Sequence, residues 1–326
     1  MRKLLDANRS IFAVLLISMM IFACNDNDRV ADEIAKINID LQVSRFDREF
    51  AEAKPSDLPA LKKTYPYLFP VQFADSVWVA KLRDTLQIEL LSEVGKTFVN
   101  FEKEQQDLES LFKHIKFYFP NYDIPKIVTV INDVDYQNRV ILTDSLLFIE
   151  LDSYLGADHK FYRGIQRYIA QGLDRKFMVS DVATAFANKF IRRPRERMFL
   201  SKIIYYGKIL YLKDKIMPFA SDALKIGYSQ DQVDWAQVNE EPIWRNFIEQ
   251  EHLYSTDNKL DTRFLDPAPF SKFGLELDNE SPGRIGRYMG WQIVRALMER
   301  NEITLQQLIA LPEEEIFKKS NYKPRK

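Results

Sequence analysis

The sequence predicts an α+β fold, mostly helical, with a small β-sheet in the first half of one domain. Three observations carry that prediction. Short β-type runs cluster between residues 127 and 151. Beyond about residue 160 the apolar spacing is helical almost to the end of the chain. Two capping-box spacings, Ser229 with Gln232 and Thr304 with Gln307, mark helix starts in that second half.

The elements follow in order. Met1-Arg2-Lys3 and Arg9 precede an uncharged run from Ile11 to Ala23. A positive start, a short apolar middle and a small residue before the cut mark a secretory signal. The run is too short for a membrane-spanning helix, which needs about 20 apolar residues. Ile21-Phe22-Ala23-Cys24 resembles a bacterial lipobox. That resemblance implies lipid on the Cys24 thiol, cleavage before it and acylation of the new amino terminus. The expected organisation is a signal peptide over 1–23, a polar tether over 24–35, and one globular domain over 36–326. Ile37, Ile39, Leu41 and Val43 alternate with polar neighbours and predict a strand. Residues 55–118 carry apolar residues at helical spacing. The clearest amphipathic helix there holds Leu108, Leu111, Phe112 and Ile115 and stops before Pro120. Ile127–Ile131, Arg139–Leu142 and Leu146–Leu151 read as a three-stranded meander joined by polar turns.

Ser180 is the expected N-cap of a helix from Asp181 to Phe190, with Pro194 beyond it. Phe199, Ile203, Ile204, Ile209, Leu210 and Leu212 lie on a long apolar helix ending near Pro218. One helix is expected from Ser229 through Trp235, Val238, Ile243 and Phe247. Residues 253–283 read as loop, Ile285–Met298 as helix, and a last short helix follows Thr304.

Composition excludes several function classes. Apolar residues make up 46% of the chain and charged residues 29%, as in an ordinary globular protein. The formal net charge is −1. Residues 1–23 carry a net +2, so the remainder carries about −3. Nothing here is the strongly basic face of a nucleic-acid binder. Cys24 is the single cysteine, so no internal disulfide forms. His114, His159 and His252 are far apart, and no H-E-x-x-H, G-x-S-x-G or Walker-type loop is present. Asp133-Val134-Asp135 lacks the glycine and glutamate of a calcium loop and reads as a hydrogen-bonded turn. Carboxylates such as Glu150 and Asp152 could pair as acid and base, but spacing alone does not place them in one cleft. No cofactor, metal or catalytic set is expected.

Three clusters remain as a candidate binding surface. The first is Tyr205, Tyr206, Lys208 and Tyr211, around Gly207. A helical glycine costs about 1 kcal/mol against alanine, so a close approach is expected there. The second is Glu240, Glu241 and Trp244, with Glu241 and Arg245 spaced as a helix pair. The third is Arg284, Arg287 and Trp291. Gly286 and Gly290 share one helix face. Arg284 and Arg287 lie at a helix start, where the dipole disfavours cations, so acidic partners or an anionic ligand are expected for them.

Longer stretches carry a family resemblance: Tyr154-Leu155-Gly156-Ala157-Asp158-His159, Tyr205-Tyr206-Gly207-Lys208-Ile209-Leu210-Tyr211, Asn239-Glu240-Glu241, Asp266-Pro267-Ala268-Pro269-Phe270 and Ser281-Pro282-Gly283-Arg284-Ile285-Gly286. With Cys24, they resemble the GldB gliding-motility lipoproteins of the Bacteroidetes over nearly the whole chain after residue 24. The resemblance implies a lipid-anchored cell-envelope protein needed for gliding and linked to type IX secretion; the outer membrane, facing the periplasm, is the expected location. It implies membrane attachment by lipid and a protein partner in the gliding or secretion machinery, bound rather than transformed. The family is also distantly similar to zincin-type peptidases. Their metal helix would correspond to Asp181–Phe190, which carries Ala185, Phe186 and Lys189 but no histidine. An envelope hydrolase with a non-standard active site is the alternative.

Overall fold

The computed structural model of the chain describes residues 26–275 and 278–325. Four strands, β1 (Val43–Ser44), β2 (Lys126–Val130), β3 (Val140–Leu142) and β4 (Leu146–Glu150), make one sheet in the order β1-β2-β4-β3. The remaining regular structure is helical, so the α+β, mostly helical class stands. The meander does not. β2 is parallel to both β1 and β4, and only β3 and β4 pair antiparallel. β2 and β4 are apolar on both faces and take the interior of the sheet, where both faces are covered. The short, half-exposed β3 is left at the edge.

The two-residue period of the strands divides the molecule. Ile127, Leu147 and Ile149 face the main core with the later helices. Val128 and Phe148 face a second core built by Phe50, Leu58, Leu61, Tyr65 and Phe69 from the first helices.

Two expectations for the N-terminal region are corrected. Residues 26–35 form a helix, Asp26–Ala35, rather than a tether. Arg29, Asp32 and Glu33 are exposed, while Ile34 is buried and the helix lies against the Glu102–Tyr118 helix. The alternating stretch from Ile37 packs Ile39, Leu41 and Val43 on the main core, but it meets β2 only at its end, so the strand shrinks to Val43–Ser44. The signal segment and Cys24 lie outside the described residues.

Further along, Leu108, Leu111, Phe112 and Ile115 are all buried, and their helix ends at Tyr118 as expected. Ser180 is not an N-cap. The helix runs Met178–Phe190, and Ser180 is buried inside it, its hydroxyl donating to the Leu224 carbonyl over 2.7 Å. The single helix expected from Ser229 is two, Gln230–Val238 and Glu240–Glu249. Pro242 has no N–H to donate backwards, so the helix restarts at Glu240 with the proline in its first turn. Both capping boxes form. The 253–283 stretch is mainly loop but contains the Lys259–Phe264 helix, which buries Leu260 and Phe264.

The centre of the second half is a helix pair. The Phe199–Ile216 helix, called here the central helix, packs along the Ile285–Arg300 helix. They touch backbone to backbone at Gly207 and Gly290. A Cβ on Gly207 would overlap the Gly290 carbonyl, and one on Gly290 would overlap that of Ile203. The close approach expected at Gly207 is therefore present, and so is the small-residue face of Gly286 and Gly290.

Candidate functional site

A cleft of about 870 Å³ opens between the Met178–Phe190 helix, the central helix, the Lys225–Ser229 turn and the start of the Ile285–Arg300 helix. Its lining is cationic. Seven basic residues, Arg139, Lys176, Arg193, Lys213, Lys225, Arg284 and Arg287, line the cleft, against two acidic ones, Asp174 and Asp181.

Asp181 is already neutralised. Arg139 donates to it through Nε at 2.7 Å and a terminal nitrogen at 3.0 Å, and the Tyr154 hydroxyl donates at 2.9 Å. Burial alone would weaken the Arg139 charge, but Asp181 outweighs it and drives the guanidinium's pKa up. Lys225 is held by Asp214, 3.0 Å away.

Lys213 is buried. Its ammonium donates to Ser180 Oγ and to the Lys225 carbonyl, both at 2.8 Å. With the Ser180 hydroxyl on the Leu224 carbonyl, it caps the C-terminal end of the Asp222–Ile226 helix, where a cation is favoured. Burial pushes the Lys213 pKa down to about 7. Arg284, Arg139 and Arg287 push the same way, while Asp181 opposes.

Arg284 and Arg287 reach the cleft from a clamped loop. Ser271 Oγ donates to the Pro282 carbonyl at 2.7 Å and accepts from the Ile285 N–H at 3.2 Å. Ser281 Oγ donates to the Ser271 carbonyl at 3.0 Å. Gly283 lies so close to Ala268 that a Cβ would overlap its carbonyl. Arg284 sits at the helix N-cap in left-handed backbone, φ 64°, a conformation that costs a non-glycine residue energy. Its guanidinium donates to the Gly227 carbonyl at 2.9 Å and lies 5.6 Å from the Tyr228 ring centre. Arg287 donates to the Leu265 carbonyl at 2.7 Å and stacks 4.1 Å from the Tyr206 ring centre. Among the described residues neither has a carboxylate within 4 Å, so the acidic side-chain partners considered for them do not form. Burial, then the neighbouring Arg284 charge, lowers the Arg287 pKa to about 10, and burial lowers that of Arg284.

The ten-residue candidate surface does not form one surface. Tyr205, Tyr206, Arg284 and Arg287 line the cleft together. Tyr205 donates to Asn188 Oδ1 at 3.2 Å. The others are structural or lie elsewhere. Lys208 is buried, with its ammonium 2.8 Å from Glu313 and 2.6 Å from the Leu311 carbonyl. Tyr211 is buried in the main core. Glu240 is buried and accepts from the Tyr288 and Tyr322 hydroxyls and the Arg325 N–H. Trp244 packs against Phe317 and Tyr322. Trp291 is fully buried and donates to Asp214 at 2.9 Å. Glu241 is half-buried and 3.6 Å from Arg245. Their aromatic and charged character serves packing between helices, and a linear sequence does not distinguish that from a surface.

Sequence reasoning missed Lys213, Arg139 and Asp181. Lys213 had a signal, since a lysine on an otherwise apolar helix face must be partnered when buried. Arg139 and Asp181 are 42 residues apart and had none. The Asn132–Asp135 turn is hydrogen-bonded, as expected. Asp152 accepts from the Asn132 and Val134 N–H groups at 3.1 and 2.8 Å, and Asn132 donates to Glu150 at 3.0 Å. Among the described residues, no three histidine, cysteine, aspartate or glutamate side chains group to hold a metal. No helix among them is long and apolar enough to cross a membrane.

Residues 27–324 match the family described as Gliding motility protein GldB. No curated protein and no solved structure matches the chain.

Proposed function

The chain belongs to the GldB family of gliding motility proteins, and from that premise we propose that it is a lipid-anchored envelope protein that acts by binding a partner, not by catalysis. In this reading Cys24 carries the lipid. The body stands at the outer membrane facing the periplasm, and it serves gliding and the linked type IX secretion machinery. The cationic cleft carries the proposal. Its one deep carboxylate, Asp181, is taken by Arg139 and Tyr154, and the Lys213 amine is engaged by Ser180 and the Lys225 carbonyl, whereas Arg284 and Arg287 are each held by a single carbonyl and keep donors to offer. Such a site holds a ligand better than it transforms one. Anchoring confines it to a membrane plane and raises its effective concentration towards anything else held there.

A zincin-like origin of the scaffold is part of the same proposal. Thr184 and Asn188 stand four apart on the cleft face of the Met178–Phe190 helix, the spacing at which a metal helix presents two histidines. Neither has a ring nitrogen to offer. The test is recovery of partners from detergent-solubilised envelopes, with cell spreading measured alongside. The wild type should retain a gliding or secretion component, and Cys24→Ala should fold yet fail to support spreading. Normal spreading by Cys24→Ala, or no such component above background with intact protein, would sink the reading.

A further inference from the structure

We propose that the floor of the cleft seats an oxyanion, the carboxylate or phosphate group of an organic ligand, between the guanidinium groups of Arg284 and Arg287. This deepens the binding reading and rests on it.

The first argument is a count of donors. A guanidinium has five N–H groups. Arg284 gives one hydrogen bond, to the Gly227 carbonyl, and Arg287 gives one, to the Leu265 carbonyl. Both side chains are half-buried and line the cleft. Among the described residues no second acceptor lies within hydrogen-bond reach of either guanidinium, and no carboxylate lies within 4 Å. Asp181 does not serve them: it lies beyond 4 Å of both and is paired with Arg139.

The second argument is preorganisation. Arg287 is stacked on Tyr206 and Arg284 lies beside Tyr228. The loop below them is fixed by Ser271, Ser281 and the Gly283–Ala268 contact, and Arg284 is kept in a strained left-handed backbone. A fold that holds two like charges near each other pays electrostatic energy that an anion would return. The planar fork of arginine fits the paired oxygens of a carboxylate or phosphate. The cleft is far larger than one such group. Tyr136, Tyr168 and Tyr206 line the rest and offer aromatic surface to an organic body.

The experiment uses the full-length protein in detergent. Its thermal midpoint is measured at constant ionic strength while chloride is replaced by inorganic phosphate or by succinate. A saturable rise with either anion is expected, and the preferred anion tells a phosphorylated ligand from a carboxylate-bearing one. Arg287→Lys keeps the charge but loses the fork, and should weaken binding about tenfold or more. The Arg284→Gln/Arg287→Gln double variant should abolish the rise while keeping its circular dichroism. If the double variant does not fold, Arg287→Lys decides. No saturable rise in folded wild type, or undiminished binding by folded Arg287→Lys, would overturn the oxyanion seat. Retention of the motility component alongside such a failure would leave the partner-binding reading intact.

Discussion

Gly207 and Gly290 meet backbone to backbone where the central helix crosses the Ile285–Arg300 helix, with no room for a methyl group on either side. One helix brings Tyr205 and Tyr206 to the cleft and the other brings Arg284 and Arg287. The crossing therefore sets the spacing of the cleft walls.

Gly290→Ala should force the helices apart and cost about 3 kcal/mol or more in urea denaturation, because the clash is with backbone and no side chain can swing away. Gly95→Ala is the control. That exposed helical position has nothing within 4 Å of a new Cβ and should gain about 0.5–1 kcal/mol. A neutral Gly290→Ala would show that the two helices do not cross this closely.

Asp214→Asn should destabilise by about 3 kcal/mol. Asp214 accepts from Trp291, from Arg295 at 2.8 Å and from Lys225 at 3.0 Å, and Arg295 also grips Asp222 at 2.7 Å. The substitution leaves Arg295 and Lys225 short of one negative charge inside a network that joins three helices. Chemical denaturation reads the loss, and an unchanged midpoint would mean the network is energetically idle.

Glu150 should make stability fall as pH rises. Burial, with the nearby Asp152 and Asp135 charges adding to it, drives its pKa to about 8 from an ordinary 4.5, against the hydrogen bond from Asn132. The folded state thus keeps a proton that the unfolded chain has released. The advantage is full below about pH 4.5 and is lost as pH climbs towards 8. Relative to Glu150→Gln, the wild type should weaken across that window, by at most about 1.4 kcal/mol per pH unit. Parallel stability curves for the two proteins would refute the assignment.

Asp181→Asn should tighten phosphate binding several-fold, by freeing the Arg139 guanidinium into the cleft, while lowering thermal stability. Equilibrium dialysis at fixed salt measures the first effect and a melting curve the second. Weaker phosphate binding would mean that the charge of Asp181 is not what limits the anion.

Local physics made much of this fold legible in the sequence. The capping boxes at Ser229 and Thr304, the buried stripe from Leu108 to Ile115 and the close packing at Gly207 are encoded within a few residues, and each is found where expected. What failed was long-range. The parallel β2–β4 pairing joins strands whose connection carries an edge hairpin, and nothing in the strands' own residues specifies it. The site followed the same division. Arg284 and Arg287 could be singled out because cations at a helix start need a reason, whereas Lys208, Glu240 and Trp291 were indistinguishable from surface residues until their burial was known. Asp26–Ala35 shows the opposite error, since polar composition read as a tether hides a helix held by Ile34.

That docked helix changes what an anchor can do. From Cys24 to Asp26 the chain can span no more than about 7 Å even when fully extended. A lipid headgroup layer is of similar thickness, about 5–8 Å. An acylated Cys24 would therefore give the body almost no vertical play. The face bearing the Asp26–Ala35 helix would ride on the bilayer like a keel, and the cleft would sweep a shell of fixed height above it. Reach would be decided by lateral diffusion alone, so a ligand presented a few nanometres higher would stay out of range however strong its affinity.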